Sequence, residues 1–407
     1  MSDLRADIWR VADTLRGPYK RAEFGSVILP FTILRRLECV LEPHREAIAR
    51  VLATHSSEFL RASTIETETG LLFYNTTNLT LAKIYADPDN RADNLLLYLR
   101  SFSSGIDVFE RFKMPEQIAR LDEAGVLGSV ILTFSKFDLS HETVSNAEMG
   151  SIFEHLIFMD FEASNAEAGD HYTPRDAIEL LVDLLFAGDD ETLRGGAIRS
   201  ILDPTVGTGG MLSVAEEHLH KLNSSAELLL YGQDINPNSY AICRSDMLAK
   251  GQDPQNIMLG NTLTDDKFRT ERFDYVLSNP PYGVDWKDER QAVEAEHQNG
   301  PAGRFEAGLP AVGDGQMLFL LHCIARLRKP SRENPTGGRV GIVLNGSPLV
   351  NGGAGSGPSN IRQWLFENDL VEAIVGLPAD MFYNTAYPPT CGFWTTTSVQ
   401  SARARCS

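Results

Sequence analysis

Asn279, Pro280, Pro281 and Tyr282 form the stretch of this chain whose side chains are best matched to chemistry on an amine. The Asn279 side chain offers a carbonyl acceptor and an amide donor, while Pro280 keeps its carbonyl and has no N–H to compete for it. Together they can take both hydrogens of an exocyclic amine. Proline also restricts the residue before it, so the corner is stiff before any ligand arrives, and stiffness holds a reacting group in line. Tyr282 adds a flat face on which a planar base can stack. Taken alone, the same residues read equally as a proline-rich loop capped by an aromatic ring. The segments that position them decide between the two.

The corner ends Phe273-Asp274-Tyr275-Val276-Leu277-Ser278, which predicts a short apolar strand closing on a turn, because consecutive prolines neither donate to a ladder nor continue a helix. In an open α/β sheet, ligands sit at the carboxyl ends of the strands. Upstream, Ile198 to Asp203 predicts a strand, Pro204-Thr205-Val206-Gly207-Thr208-Gly209-Gly210 a turn, and Met211 to Leu222 a helix. Gly207, Gly209 and Gly210 let a ligand approach the backbone closely, and Asp203 can accept from an ammonium group or a helix amide. No Gly-x-x-x-x-Gly-Lys-Ser/Thr is present, which excludes a P-loop; a dinucleotide fold stays open on this loop alone. The next strand ends in Asp234, about thirty positions after Asp203, where an acid suits ribose hydroxyls. A third strand end, Gly260-Asn261-Thr262, offers the Asn261 amide to an adenine edge. Earlier still, Asp170-His171-Tyr172-Thr173-Pro174-Arg175-Asp176 opens a helix with Thr173 as N-cap and Pro174 at the first helical position. Its exposed N–H groups could meet a carboxylate and Tyr172 could pack on adenine; an ordinary capped helix is the competing reading.

With 407 residues the chain has room for about two or three domains. Its net charge of −18 opposes direct binding to phosphate backbones, so an activity on DNA calls for a partner that supplies the basic grip. A DNA-mimicking or scaffolding protein is the non-enzymatic alternative on charge. No apolar run is long enough to cross a bilayer, and Asp3, Arg5, Asp7, Arg10 and Arg16 occupy the place of a signal peptide's apolar core. Cys39, Cys243, Cys323, Cys391 and Cys406 are scattered without Cys-x-x-Cys pairs, which points to a cytoplasmic, reducing setting and away from structural zinc. From Leu4 to about Leu139 the pattern is helical. There, Arg35-Arg36 is expected on a solvated face. Gly283 to Gly315 is polar and long enough to be a loop that orders over substrate, or a plain insertion. His322, in an apolar helix, is expected to be a core residue.

As an ordered set these segments resemble the amino-methyltransferases that use S-adenosylmethionine, most closely the modification (HsdM-type) subunit of type I restriction-modification systems. The likeness runs from near the first residue to about Thr385, including Leu377-Pro378-Ala379-Asp380-Met381-Phe382. It implies an α/β, Rossmann-like S-adenosylmethionine-dependent methyltransferase domain over 141–385, preceded by an α-helical N-terminal domain over 1–140. The implied activity is site-specific transfer of a methyl group to N6 of a flipped adenine, protecting host DNA from restriction. The implied cofactor residues are Asp170, His171, Tyr172, Thr173, Pro174, Arg175, Asp203, Gly207, Thr208, Gly209, Gly210, Asp234 and Asn261, with Asn279, Pro280, Pro281 and Tyr282 holding the adenine and no metal required. The implied partners are double-stranded DNA, a specificity subunit joined by two copies of this subunit, and a restriction subunit. There are two departures. The ribose-binding acid is usually glutamate and is here Asp234, a methylene shorter. After Thr385 the family usually continues Gly-Ile-Pro-Thr, whereas this chain reads Ala386-Tyr387-Pro388-Pro389-Thr390. Codons exist for the tail whose neighbouring frame reads Gly-Ile-Pro-Thr-Tyr-Val-Arg-Ile-Leu-Asp-Asn-Asn-Lys. That predicts a frameshift near Thr385, an aberrant tail over 386–407 and loss of the last sheet strands, which the sequence of the gene locus checks. The alternatives are an inactive truncated remnant, or an Asn-Pro-Pro-Tyr methyltransferase acting on RNA or on a protein glutamine.

Overall fold

The computed structural model describes all residues except 1–3, 104, 165–173, 188–195, 331–336, 379–389 and 396–407. The chain divides into two compact units, one of residues 1–168 with 237–257, the other of residues 169–236 with 258–407.

The first unit is helical. Its central helix, Gly25–Leu41, buries residues all round, as its uninterrupted apolar sequence requires. Arg36 of this helix overturns the solvated-face expectation: it is fully buried. Its guanidinium donates to the carbonyls of Leu139 and Val144, to His141 Nδ1 at 3.0 Å and to Asn146 Oδ1 at 3.1 Å. A planar guanidinium can close a whole loop in this way, and these four acceptors offset the desolvation of its charge. Because Arg36 can only donate, His141 Nδ1 is the acceptor and its Nε2–H donates to Ala249 O at 2.9 Å. Ala249 ends the helix Pro237–Ala249, whose Ala241, Ile242 and Leu248 join this unit's core.

The second unit is built on a seven-stranded sheet in the order β3-β2-β1-β4-β5-β7-β6. The strands are β1 (Ile198–Asp203), β2 (Glu227–Asp234), β3 (Ile257–Leu259), β4 (Tyr275–Ser278), β5 (Arg339–Leu344), β6 (Val371–Gly376) and β7 (Thr390–Thr395). β1 pairs in parallel with β2 and β4, and β4 with β5. The order runs outward from β1 to β3, then restarts on the other side with β4. The switch point of this Rossmann-like sheet therefore lies between β1 and β4, the place where such sheets bind ligands. Every residue of β4 is buried, consistent with a continuous apolar strand covered on both faces. β7 runs antiparallel between β5 and β6, pairing Val340 with Trp394 and Gly376 with Thr390. Residues 390–395, within the segment 386–407, thus form a strand of the sheet. A backbone ladder needs only N–H and C=O groups, and Thr390-Cys391-Gly392-Phe393-Trp394-Thr395 is rich in strand-forming residue types.

The stretch 283–315, for which the sequence left open a loop that orders over substrate or a plain insertion, is packed structure instead. This stretch contains the helix Arg290–His297, buries Trp286, Val293 and Phe305, and places Trp286 Nε1 3.0 Å from Ala311 O. Arg304 pins it down. Its guanidinium donates to Thr262 O at 2.7 Å, Leu263 O at 2.8 Å and both oxygens of Glu296, and to Nδ1 of the buried His322 at 2.9 Å. Burial and the charges of Arg304 and Arg326 hold His322 well below the usual histidine range, so it is a neutral core acceptor. Replacing Arg304 with Met is expected to lower stability by about 3 kcal/mol, because Glu296 loses its cation while the carbonyls lose their donor. Thermal unfolding of the purified variant checks it.

Candidate active site

Four consecutive residues after β1 are each latched to a different neighbour, and the latches explain the shape of the turn. Pro204 O accepts from Thr262 Oγ1 at 2.5 Å, Thr205 Oγ1 meets Ser278 Oγ at 2.9 Å, Val206 N donates to Gln233 O at 3.0 Å, and Gly207 N donates to Asp234 Oδ2 at 2.8 Å. Gly207 (φ 53°) and Gly209 (φ 84°) take left-handed conformations that a side chain would strain, and Gly209 caps the helix Gly210–Leu222. A Cβ added to Gly207 would meet no atom within 4 Å, so the loop faces open space there. Thr208 and Gly209 are buried.

Asp203 closes β1 and is 1% exposed. Its Oδ1 accepts from Thr205 N at 2.9 Å and Thr205 Oγ1 at 3.3 Å, whereas Oδ2 is buried with no hydrogen-bond partner. Burial pushes its carboxyl up to about 7; the Thr205 N–H pulls the other way and the Asp234 charge adds to the rise. A buried carboxylate oxygen without a donor is costly by itself, and a cationic or donor group reaching it would offset that cost. Asp234 ends β2, and its oxygens accept from the N–H groups of Gly207 and Asn236 (2.7 Å). Burial raises its carboxyl too, against those two donors. The shorter acid thus ties the glycine bend directly to the strand end.

Asn261 follows β3. Its Oδ1 accepts from Leu263 N at 2.9 Å and its Nδ2 donates to Glu289 Oε1 at 2.8 Å, so protein groups set the amide's orientation before any ring arrives. At the end of β4, Pro280 is buried while Asn279, Pro281 and Tyr282 are half-buried. The Tyr282 hydroxyl donates to Asn279 Oδ1. Arg175 begins the helix Arg175–Phe186 after the half-buried Pro174, and its guanidinium pairs with Glu179 at 3.0 Å and with Glu217 of the glycine-bend helix at 3.6 Å. Asp170, His171, Tyr172 and Thr173 lie outside the described residues.

One unit therefore carries Asp203, the glycine bend, Asp234, Asn261 and the Asn279 corner on loops at the carboxyl edge of β1 to β4. Sequence reasoning passed over Thr205, Ser278, Gln233 and Glu289. Gln233 is buried and clamps the loop after β3 through Gly260 O, Asp265 O and Lys267 N. A polar residue one place before the strand-ending acid was the available signal. Ser278 and Glu289 had none, since their partners are remote in sequence.

A family model described as N-6 DNA Methylase matches residues 144–399, and one described as HsdM N-terminal domain matches residues 4–134. The type I restriction enzyme MjaIX methylase subunit of Methanocaldococcus jannaschii is 28% identical over 95% of this chain and 68% of its own length. The type I restriction enzyme HindI methylase subunit of Haemophilus influenzae is 25% identical over 60% of this chain and 50% of its own. The type I restriction-modification system methyltransferase subunit from Streptococcus thermophilus shares the fold with a TM-score of 0.72 at 22% identity, over 97% of this chain and 85% of that one. The match thus spans about two thirds of the first curated relative and half of the second.

Proposed function

The chain belongs to the N-6 DNA methylase family, and from that premise we propose that it is the adenine-specific DNA methyltransferase subunit of a type I restriction-modification complex, using S-adenosylmethionine and working in the cytoplasm. The observation that carries the reading is the hydrogen bond between Thr205 and Ser278, which sets the glycine bend beside the Asn279 corner at the sheet's switch point. The orphaned Asp203 Oδ2 and the open space at Gly207 fit an ammonium-bearing nucleoside. Asp203 would hold the ammonium group, Asp234 the ribose hydroxyls, and Asn261 the adenine edge. When bound, S-adenosylmethionine supplies an electrophilic methyl group on a sulfonium.

The chain's own residues prepare the acceptor. An adenine amine is a weak nucleophile because its lone pair is delocalised into the ring. Accepting its two hydrogens at Asn279 Oδ1 and Pro280 O favours the pyramidal amine and strengthens as positive charge develops on nitrogen. Pro280 has no N–H to repel that charge, and the Tyr282 bond holds Asn279 Oδ1 in place beforehand. The target is unreachable inside a duplex, so the base is swung out and stacked on Tyr282. With a charge of −18 the chain leaves DNA grip and site choice to a specificity subunit, which two copies of it would flank, and a restriction subunit would complete the complex.

The test is transfer of tritium from methyl-labelled S-adenosylmethionine to unmethylated bacterial DNA, with and without the specificity protein encoded beside this gene. Label is expected in N6-methyladenine, and only with that partner present. Label in RNA or in protein glutamine, or none at all, would refute the reading.

A further inference from the structure

The β1 and β4 ladder pairs Ile201 with Tyr275 and Leu202 with Val276. It stops one residue short of Asp203 and two short of Ser278. Past that register the two strand ends carry the residues assigned to the two reactants, and their spacing depends on side chains. Thr205 Oγ1 and Ser278 Oγ lie 2.9 Å apart, and Ser278 is completely buried. Thr205 Oγ1 also lies 3.3 Å from Asp203 Oδ1, an acceptor when ionised, so the Thr205 proton goes to Asp203 and Ser278 is then the donor to Thr205. Asp203, Thr205 and Ser278 thus form a polar chain just past the end of the strand pairing.

We propose that Thr205 and Ser278 are positioning residues that set the distance between the methyl donor and the adenine amine. The inference rests on the functional reading above and adds to it a specific latch. The other latches on the turn run to the loop after β3 or to β2. Those place the turn over the cofactor, whereas the Thr205 hydroxyl places it relative to Asn279. Transfer rate is steeply sensitive to such spacing, with a misplacement of about 1 Å able to cost on the order of 100-fold. Losing the latch should therefore touch turnover and spare cofactor binding, since Thr205→Val keeps the 2.9 Å backbone bond to Asp203.

The experiment compares Thr205→Val, Thr205→Ser, Ser278→Ala and the Thr205→Val, Ser278→Ala double variant in the full chain with its specificity partner. Three quantities are read: single-turnover methyl transfer to unmethylated bacterial DNA, calorimetric Kd for S-adenosylhomocysteine, and hydrogen exchange of the peptide covering 275–283. The transfer rate is expected to fall about tenfold in Thr205→Val and in Ser278→Ala, with Kd within about twofold of wild type. Thr205→Ser should recover most of the rate, and the double variant should be no slower than the slower single, because both remove one interaction. Exchange over 275–283 should quicken in Thr205→Val. Additive losses, parallel loss of rate and affinity, or unchanged exchange would overturn the latch. If Thr205→Val does not fold, Ser278→Ala decides alone. A wild-type chain that methylates no adenine would instead refute the functional reading, and the exchange data would still decide the latch.

Discussion

Asn279→Ala is expected to lower methyl transfer by about 1000-fold or more while leaving the Kd for S-adenosylhomocysteine within about twofold. The split follows from where the side chain sits. Asn279 closes β4 and engages Tyr282, whereas the glycine bend is latched through Pro204, Thr205, Val206 and Gly207 to other groups. Removing the Asn279 amide therefore leaves those latches intact and deletes an acceptor that matters most as charge builds on the amine. Two companions sharpen the test. Asn279→Asp keeps an acceptor at the same place but removes the amide donor, and should retain part of the rate. Tyr282→Phe keeps the stacking face and deletes the hydroxyl that holds Asn279 Oδ1, so a loss of about tenfold is expected, felt in turnover more than in binding. Single-turnover assays beside calorimetry read both quantities. Equal loss of rate and cofactor affinity in Asn279→Ala would place Asn279 in the cofactor pocket and end its role as the amine's partner.

What could be read from the chain in advance was whatever neighbouring residues decide among themselves. Asp203 followed by the glycine turn, and Ser278 followed by two prolines, are local signals: strand periodicity, then residues that cannot continue a ladder. Both strands end where that logic puts them. What escaped was decided at a distance. Arg36 looked like half of a surface pair because none of its acceptors is near it in sequence; they lie at 139, 141, 144 and 146. Arg304 converts a polar, glycine-bearing stretch into packed structure for the same reason, with acceptors at Thr262 and Leu263. The Thr205 and Ser278 pair spans 73 positions. The helix Pro237–Ala249 lies between β2 and β3 in sequence, yet its apolar residues join the core of the helical unit. Backbone grammar was legible in the sequence, and the long polar side chains that staple it were not.

Asp203→Asn is expected to weaken S-adenosylmethionine binding by about 30-fold or more, through loss of one charge-assisted hydrogen bond to an ammonium group. The pH dependence gives the assignment a sharper edge. Free Asp203 titrates at about 7, above its ordinary value, so below neutrality it must release a proton before it can hold a cation. Wild-type affinity should therefore rise about tenfold per pH unit up to about pH 7, then decline above about pH 8 as the cofactor's own amine loses its charge. Asp203→Asn should abolish the rising limb and keep the falling one. Calorimetry between pH 5.5 and 9 reads both, and a flat wild-type profile below pH 7 would refute the contact. Stability without cofactor runs the opposite way. A carboxyl raised by burial favours the fold while protonated, and that contribution is present in full below about pH 4 and lost as pH rises through about 7, on the order of 4 kcal/mol in all. The neutral asparagine escapes most of this loss, less the cost of burying an amide where Oδ2 had no partner. The cofactor-free variant should consequently unfold at a higher temperature than wild type at pH 8, but not at pH 4. The same burial that makes Asp203 a strain on the empty fold makes it a strong ligand for the cation it awaits.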